Sequence, residues 1–156
     1  MINKVHIENS VAYDFVQDSV TRINAIFEEK GVLSQHDPFF KQRAVQIAMA
    51  HAVANAIQQC DALVVEAGTG VGKTYAYLVP ALLSGERVII STATKTLQDQ
   101  LFGRDLPNLV AMLGLPVKTA LLKGRSSYLC TYRLELARQD FGSSDRGIQN
   151  TLTKVE

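Results

Sequence analysis

Apolar residues return near helical spacing at Val11, Phe15, Ile23, Ile26 and Phe27, which predicts an amphipathic helix from about Val11 to Lys30. Ser10 is its candidate N-cap and Gly31 its stop. The segment from Gly31 to Phe40, with Ser34-Gln35-His36-Asp37-Pro38 at its centre, reads as a linker. Ala44, Ile47, Ala48, Ala52, Val53 and Ile57 then restore the helical period and predict a second helix from about Phe39 to Gln59. Beyond it the pattern changes. Ala62-Leu63-Val64-Val65 is too brief for an amphipathic helix and is bounded by Asp61 and a glycine-rich loop, which suits a buried parallel strand. A helix follows from Tyr75 to Leu83, then a strand at Arg87-Val88-Ile89-Ile90. Thr94 caps a helix running towards Phe102-Gly103, Pro107 opens a shorter one ending near Gly114, and Val117 to Leu122 reads as a third strand. This alternation predicts an α/β unit with a largely parallel sheet.

Composition excludes several classes. The 156 residues are 47% hydrophobic and 20% charged, which fits a globular domain and removes disordered and low-complexity readings. The net charge of +1 argues against a wholly basic nucleic-acid coat. No apolar run approaches the roughly 20 residues that cross a bilayer, and the N-terminus lacks a signal layout, so a soluble, cytoplasmic protein without membrane contact is expected. Charge is divided along the chain. Residues 1–37 hold three basic and six acidic groups, whereas residues 118–138 hold five basic and one acidic, so the latter is the better candidate for touching a polyanion. Cys60 and Cys130 are too few for a disulfide scaffold and are read as reduced thiols unless a metal claims one.

The candidate chemistry begins at Glu66-Ala67-Gly68-Thr69-Gly70-Val71-Gly72-Lys73-Thr74, between an expected strand and an expected helix. Glycines at alternate positions let the backbone curl, so that successive N–H groups and the positive end of the next helix face one anion. Ala67, Gly68, Thr69, Gly70, Val71, Gly72, Lys73 and Thr74 are therefore read as a nucleotide phosphate loop. Lys73 would lie across the β- and γ-phosphates, and the Thr74 hydroxyl would be a ligand of the bridging Mg²⁺. Ala67 stands where the usual pattern has glycine.

Further stretches flank the loop in order: Arg43-Ala44-Val45-Gln46-Ile47-Ala48-Met49-Ala50, Ser91-Thr92-Ala93-Thr94 with Leu97-Gln98-Asp99-Gln100-Leu101, and Leu121-Leu122-Lys123-Gly124-Arg125-Ser126-Ser127-Tyr128-Leu129-Cys130. Together with the loop they resemble the N-terminal part of the DinG-type superfamily 2 DNA helicases, on the YoaA side of that family, which is related to the XPD iron–sulfur helicases. The resemblance runs from about Phe40 to Arg138. It implies a P-loop, RecA-like first motor domain, incomplete in this chain, with ATP and Mg²⁺ as cofactors and single-stranded or forked DNA as partner. A replication or repair protein is a further partner left open.

The resemblance also assigns residues. Gln46 would read adenine through its amide, and Arg43 would brace that loop or approach the nucleotide. Thr92, Thr94 and Gln98, at the carboxyl end of an expected strand, would hold a DNA phosphate, although Thr94 also suits a simple helix cap. Cys130 would be the first of four thiolates around a [4Fe–4S] cluster in an intact family protein, a cluster not expected in this chain alone. No Asp-Glu-x-His motif occurs, so the site lacks the carboxylates that would complete Mg²⁺ coordination and activate water.

The resulting expectation is an N-terminal acidic helix and linker over 1–37, the first part of a motor domain over 38–140, and a polar tail over 141–156. The activity implied by resemblance is 5′→3′ ATP-dependent unwinding of DNA, with the chain itself a fragment that binds nucleotide and turns it over poorly. Two alternatives remain: a non-catalytic nucleotide- or DNA-binding fragment, docking a partner through the acidic helix, and a small-molecule P-loop phosphotransferase.

Overall fold

The computed structural model describes residues 9–140, with side chains from residue 18 to residue 139. The polar tail at 141–156 and the side chains of Ser10, Val11 and Phe15 lie outside the described residues. The chain divides into two compact units, Met1–Lys118 and Thr119–Glu156.

The first unit is built on helices α1 (Asn9–Phe27), α2 (Val32–His36), α3 (Ala44–Gln59), α4 (Lys73–Leu83), α5 (Lys95–Gln100) and α6 (Leu106–Leu113). Its centre is α4, which packs on α3, α1 and α6. Ala76, Leu78 and Val79 of α4 are fully buried with Ile23 and Phe27 of α1, Ala50 of α3 and Leu109 of α6. Each large aliphatic or aromatic side chain removed from water in this way contributes about 1.5–3 kcal/mol. The face of α1 that carries Ile23, Ile26 and Phe27 is thus committed to the core. A bond of 2.8 Å between Asn24 Oδ1 and His51 Nε2 adds a polar tie from α1 to α3.

Local chemistry accounts for the boundaries. α1 gives way to a turn at Glu28-Glu29-Lys30, and the expected linker contains α2, which starts after the buried Gly31. A Cβ at Gly31 would collide with the carbonyl oxygen of Ala25, so only glycine lets the chain turn so close to the end of α1. α3 begins five residues later than its periodicity suggests, because Pro38 and a turn closed by Phe39 N–H to Asp37 Oδ1 at 2.9 Å occupy its expected start. Cys60 ends α3 in the left-handed conformation, with φ of 53°.

The helix starting after Thr94 does not stop at Gly103. It passes through one wide turn, Leu101–Asp105, in which the Leu106 N–H bonds the Leu101 carbonyl five residues back, and continues as α6 to Gly114. Pro107 follows this turn, where the regular ladder is already interrupted and a missing N–H is tolerated.

The expected strands are not formed among the described residues. Residues 62–65, 87–90 and 117–122 are not helical, and no strand occurs among the described residues. A buried parallel strand needs a hydrogen-bonded neighbour and cover on both faces. Here Val64 is 97% exposed and Ile89 92% exposed, so these two residues lack that cover.

The second unit, described over 119–140, holds a short 3₁₀ turn at Arg125–Ser127 and helix α7 (Thr131–Asp140). The Lys123 N–H donates to the Tyr128 hydroxyl at 2.8 Å and closes the turn between them.

Candidate functional site: a phosphate loop at the start of α4

The loop expected to cradle phosphate forms a cup leading into α4. Gly70 and Gly72 take left-handed conformations, with φ of 75° and 83°, and Gly72 is the residue before the first helical turn. Only glycine adopts this conformation without cost, and two such residues in alternation bend the backbone sharply. A Cβ built at Gly68 or Gly70 would meet nothing within 4 Å, so the space beside these residues is open. The amides at the start of α4 have no carbonyl one turn back, which leaves donors and the positive end of the helix available to an anion.

Lys73 is exposed, and its ammonium donates to the carbonyl oxygens of Ala67 at 2.9 Å and Gly68 at 2.7 Å. The cation is therefore tied back to the carbonyls at the start of the loop. Thr74 follows on the first turn of α4 and is half-buried. Burial raises the Tyr77 phenol above its ordinary 10.0, a hydrogen bond involving Thr74 opposes the rise, and the Asp105 charge adds to it.

Gln46 lies against the phosphate loop. It is 3% exposed, its Nε2 donates to the Gly72 carbonyl oxygen at 2.9 Å, and its Oε1 is buried with no hydrogen-bond partner. The side chain underpins the loop. Arg43 is the exposed, extended residue immediately before α3.

Thr94 caps α5, with its Oγ1 accepting from the Leu97 N–H at 3.2 Å, while the Thr92 hydroxyl donates to the Thr94 carbonyl oxygen at 3.3 Å. Gln98 lies one turn into the same helix and is half-buried. Thr92, Thr94 and Gln98 thus share the N-terminal end of α5. A separate cleft of about 470 Å³, lined by Met49, Val53, Cys60, Leu63 and Val65 among others, contains no phosphate-loop residue.

Cys130 is exposed just before α7, and Cys60 is exposed at the end of α3. Among the described residues no three His, Cys, Asp or Glu side chains group in a way that could hold a metal. One thiol cannot hold a cluster that takes four, so the described residues do not fit an iron–sulfur site. No helix among them is long and apolar enough to cross a membrane.

Comparison with known proteins bears on the same segment. Residues 44–137, which contain α3, the loop, α4, α5 and Cys130, match the DEAD/DEAH box helicases. The chain belongs to this helicase family. That membership carries a P-loop, RecA-like fold class. Among its relatives, the ATP-dependent DNA helicase YoaA of Haemophilus influenzae is 49% identical over 138 residues, covering 88% of this chain and 22% of the relative. The protein of the same name from Escherichia coli is 52% identical over 123 residues, covering 79% and 19%. The 3′-5′ exonuclease DinG of Bacillus subtilis is 38% identical over 128 residues, covering 80% and 13%. The chain thus spans about a fifth of the length of the two YoaA helicases. No solved structure matches.

Within this helicase segment, Asp105 lies outside the stretches singled out in the sequence, and Gln100 was quoted only as part of one of them. Asp105 is 7% exposed and accepts from Gln100 Nε2 at 3.1 Å and from Arg104 Nε at 2.9 Å. Its signal was a carboxylate between Leu101 and Leu109 on the face that periodicity assigns to the core.

Proposed function

We propose that the chain carries the nucleotide-binding part of an ATP-dependent DNA helicase motor. The cup formed by Gly70 and Gly72 ahead of α4, spanned by Lys73 within a helicase-family segment, carries this reading. Backbone amides would hold the β-phosphate, the Lys73 ammonium would leave its two carbonyls for the β- and γ-oxygens, and Thr74 would donate its hydroxyl oxygen to Mg²⁺. Mg²⁺ supplies charge neutralisation on the phosphates when bound.

The names of the YoaA relatives support DNA as the second ligand. Its phosphate would sit at the start of α5, on Thr92, Thr94 and Gln98. Gln46 retains an unpaired buried oxygen, which supports an adenine contact once the loop shifts on binding. The apolar segments 62–65, 87–90 and 117–122 are proposed as strands of a parallel sheet whose neighbours and covering layer the described residues do not provide. A 5′→3′ direction rests on the resemblance to the DinG group alone, as does a cluster ligated by Cys130 in an intact relative.

Titration of the purified chain with a fluorescent Mg·ATP analogue tests the proposal. Saturable binding that is lost on Lys73→Ala, with the far-ultraviolet circular dichroism unchanged, is expected. Equal binding by the variant, or none by the parent chain, would overturn it. Charge-assisted hydrogen bonds of about 1.5–3 kcal/mol set the expected loss at about tenfold to a hundredfold.

A further inference from the structure

Two apolar segments of the first unit alternate in exposure along the chain. Leu63 and Val65 line the cleft of about 470 Å³ with Met49 and Val53 of α3, while Val64 between them is 97% exposed. Val88 and Ile90 are less than half exposed, and Ile89 between them is 92% exposed. Period-two burial of this kind is the mark of an extended chain with one face on a layer and the other left to water. Exposed apolar segments of strand composition are templates for pairing with another chain, and no proline or charged residue interrupts 62–65 or 88–90 to prevent it.

The flanking charges decide which pairing is favourable. Residues 62–65 lie between Asp61 and Glu66, and residues 88–90 follow Glu86 and Arg87, all of them exposed. Antiparallel pairing of 61–66 with the same segment of another copy would set Asp61 opposite Glu66 at both ends, and like charges directly opposite are destabilising. Parallel pairing that sets Ala62 opposite Arg87 brings Asp61 against Glu86, again like against like. Antiparallel pairing of 63–66 with 87–90 instead sets Glu66 opposite Arg87, Val65 opposite Val88, Val64 opposite Ile89 and Leu63 opposite Ile90. This register joins opposite charges and opposes the two side chains that these segments leave most exposed.

We propose that a second copy of this chain docks on these segments, residues 63–66 of each copy pairing antiparallel with residues 87–90 of the other. An arrangement about a two-fold axis uses each segment once, so that one dimer holds two equivalent ribbons and two Glu66–Arg87 pairs. The ribbons supply each segment with the hydrogen-bonded neighbour that a strand requires, and shield Val64 and Ile89 from water against each other. The proposal rests on the reading of these segments as strands and is independent of the nucleotide and DNA assignments.

Sedimentation velocity of the 156-residue chain across micromolar concentrations tests it, with the amide I infrared band recorded on the same samples. A thiol reductant keeps the exposed Cys60 and Cys130 from linking copies covalently. A concentration-dependent monomer–dimer equilibrium is expected, with β-structure rising as the dimer forms. Glu66→Lys and Arg87→Glu each turn two attractive pairs into repulsive ones and should weaken dimerisation by about tenfold or more. The double variant Glu66→Lys/Arg87→Glu should restore it to within about threefold of the parent. Both positions are exposed, so the substitutions leave the core untouched, and an unchanged far-ultraviolet circular dichroism spectrum of the dilute variants checks this. Failure of the double variant to restore dimerisation overturns the register. A dimer without gain of β-structure overturns the pairing together with the strand reading. A parent chain that stays monomeric throughout overturns the second copy as occupant and leaves both the strand reading and the motor assignment standing.

Discussion

The side-chain amide of Gln46 donates to the carbonyl oxygen of Gly72 at 2.9 Å, tying α3 to the last residue of the phosphate loop across 26 positions. The two residues constrain each other. A Cβ on Gly72 would fall on the Gln46 amide nitrogen, and the φ of 83° would strain any residue but glycine. Gly70 shares the second constraint, with φ of 75°, but has nothing within 4 Å.

The pair Gly70→Ala and Gly72→Ala therefore separates conformation from contact. Gly70→Ala should lose about 1–2 kcal/mol, the left-handed cost alone. Gly72→Ala should lose that amount and also displace Gln46, leaving a buried donor unpaired at a further cost of about 1–3 kcal/mol. Urea unfolding of both variants checks the order. Equal losses would show that Gln46 yields freely.

α1 offers a second test. Its apolar face is closed into the core, so a role in docking a partner would have to use its other faces. Phe27→Ala should destabilise the chain by about 3–5 kcal/mol, as expected for a fully buried aromatic side chain. A denaturation midpoint that barely moves would show that α1 is not integral to the unit.

How far these features could be read in the sequence depended on the range of the forces involved. Thr94 as a cap, Gly114 as a stop and the glycine pattern of the loop are local chemistry, and the structure has Thr94 and Gly114 in those positions. The loop's left-handed residues, Gly70 and Gly72, are two of the three alternating glycines read as letting the backbone curl. Gln46 was singled out, but its amide faces Gly72 because of how α3 packs on α4, which no local pattern encodes. The wide turn at Leu101–Asp105 escaped for a related reason. Gly103 and Pro107 both signal a break, and the core contacts of Leu101 and Leu109 override them. The segments at 62–65 and 87–90 have strand composition, but a strand is a pairwise structure and needs its neighbour.

Thr94 carries both a structural and a proposed ligand role, and these respond differently to substitution. Thr94→Ala removes the bond to the Leu97 N–H and should cost about 1 kcal/mol of stability. Thr94→Ser keeps that bond and should restore it. If Thr94 also contacts a DNA phosphate, the alanine variant should bind all single-stranded sequences more weakly with an unchanged salt dependence, because no cation is lost. Oligonucleotide titrations at several salt concentrations check this. Unaltered DNA affinity with reduced stability would leave Thr94 as a cap alone.

Alkaline pH provides a handle on the first turns of α4. Burial, then the Asp105 and Asp37 carboxylates, raise the Tyr75 phenol above its ordinary 10.0, with Arg104 opposing them. Tyr77 is raised chiefly by burial, against the opposing bond with Thr74 and with a further rise from Asp105. A raised pKa in the folded chain means that the unfolded chain releases these protons first. The associated stability is fully present below about pH 10 and is lost as pH climbs through the raised values. Urea midpoints measured from about pH 8 to about pH 11 should fall over the upper part of that range. The fall should be shallower in Tyr75→Phe and Tyr77→Phe, which have no phenol to ionise. It should also be somewhat shallower in Asp105→Asn, where the burial contribution remains but the neighbouring charge is gone. A slope unaffected by both phenylalanine substitutions would place the alkaline sensitivity elsewhere in the chain.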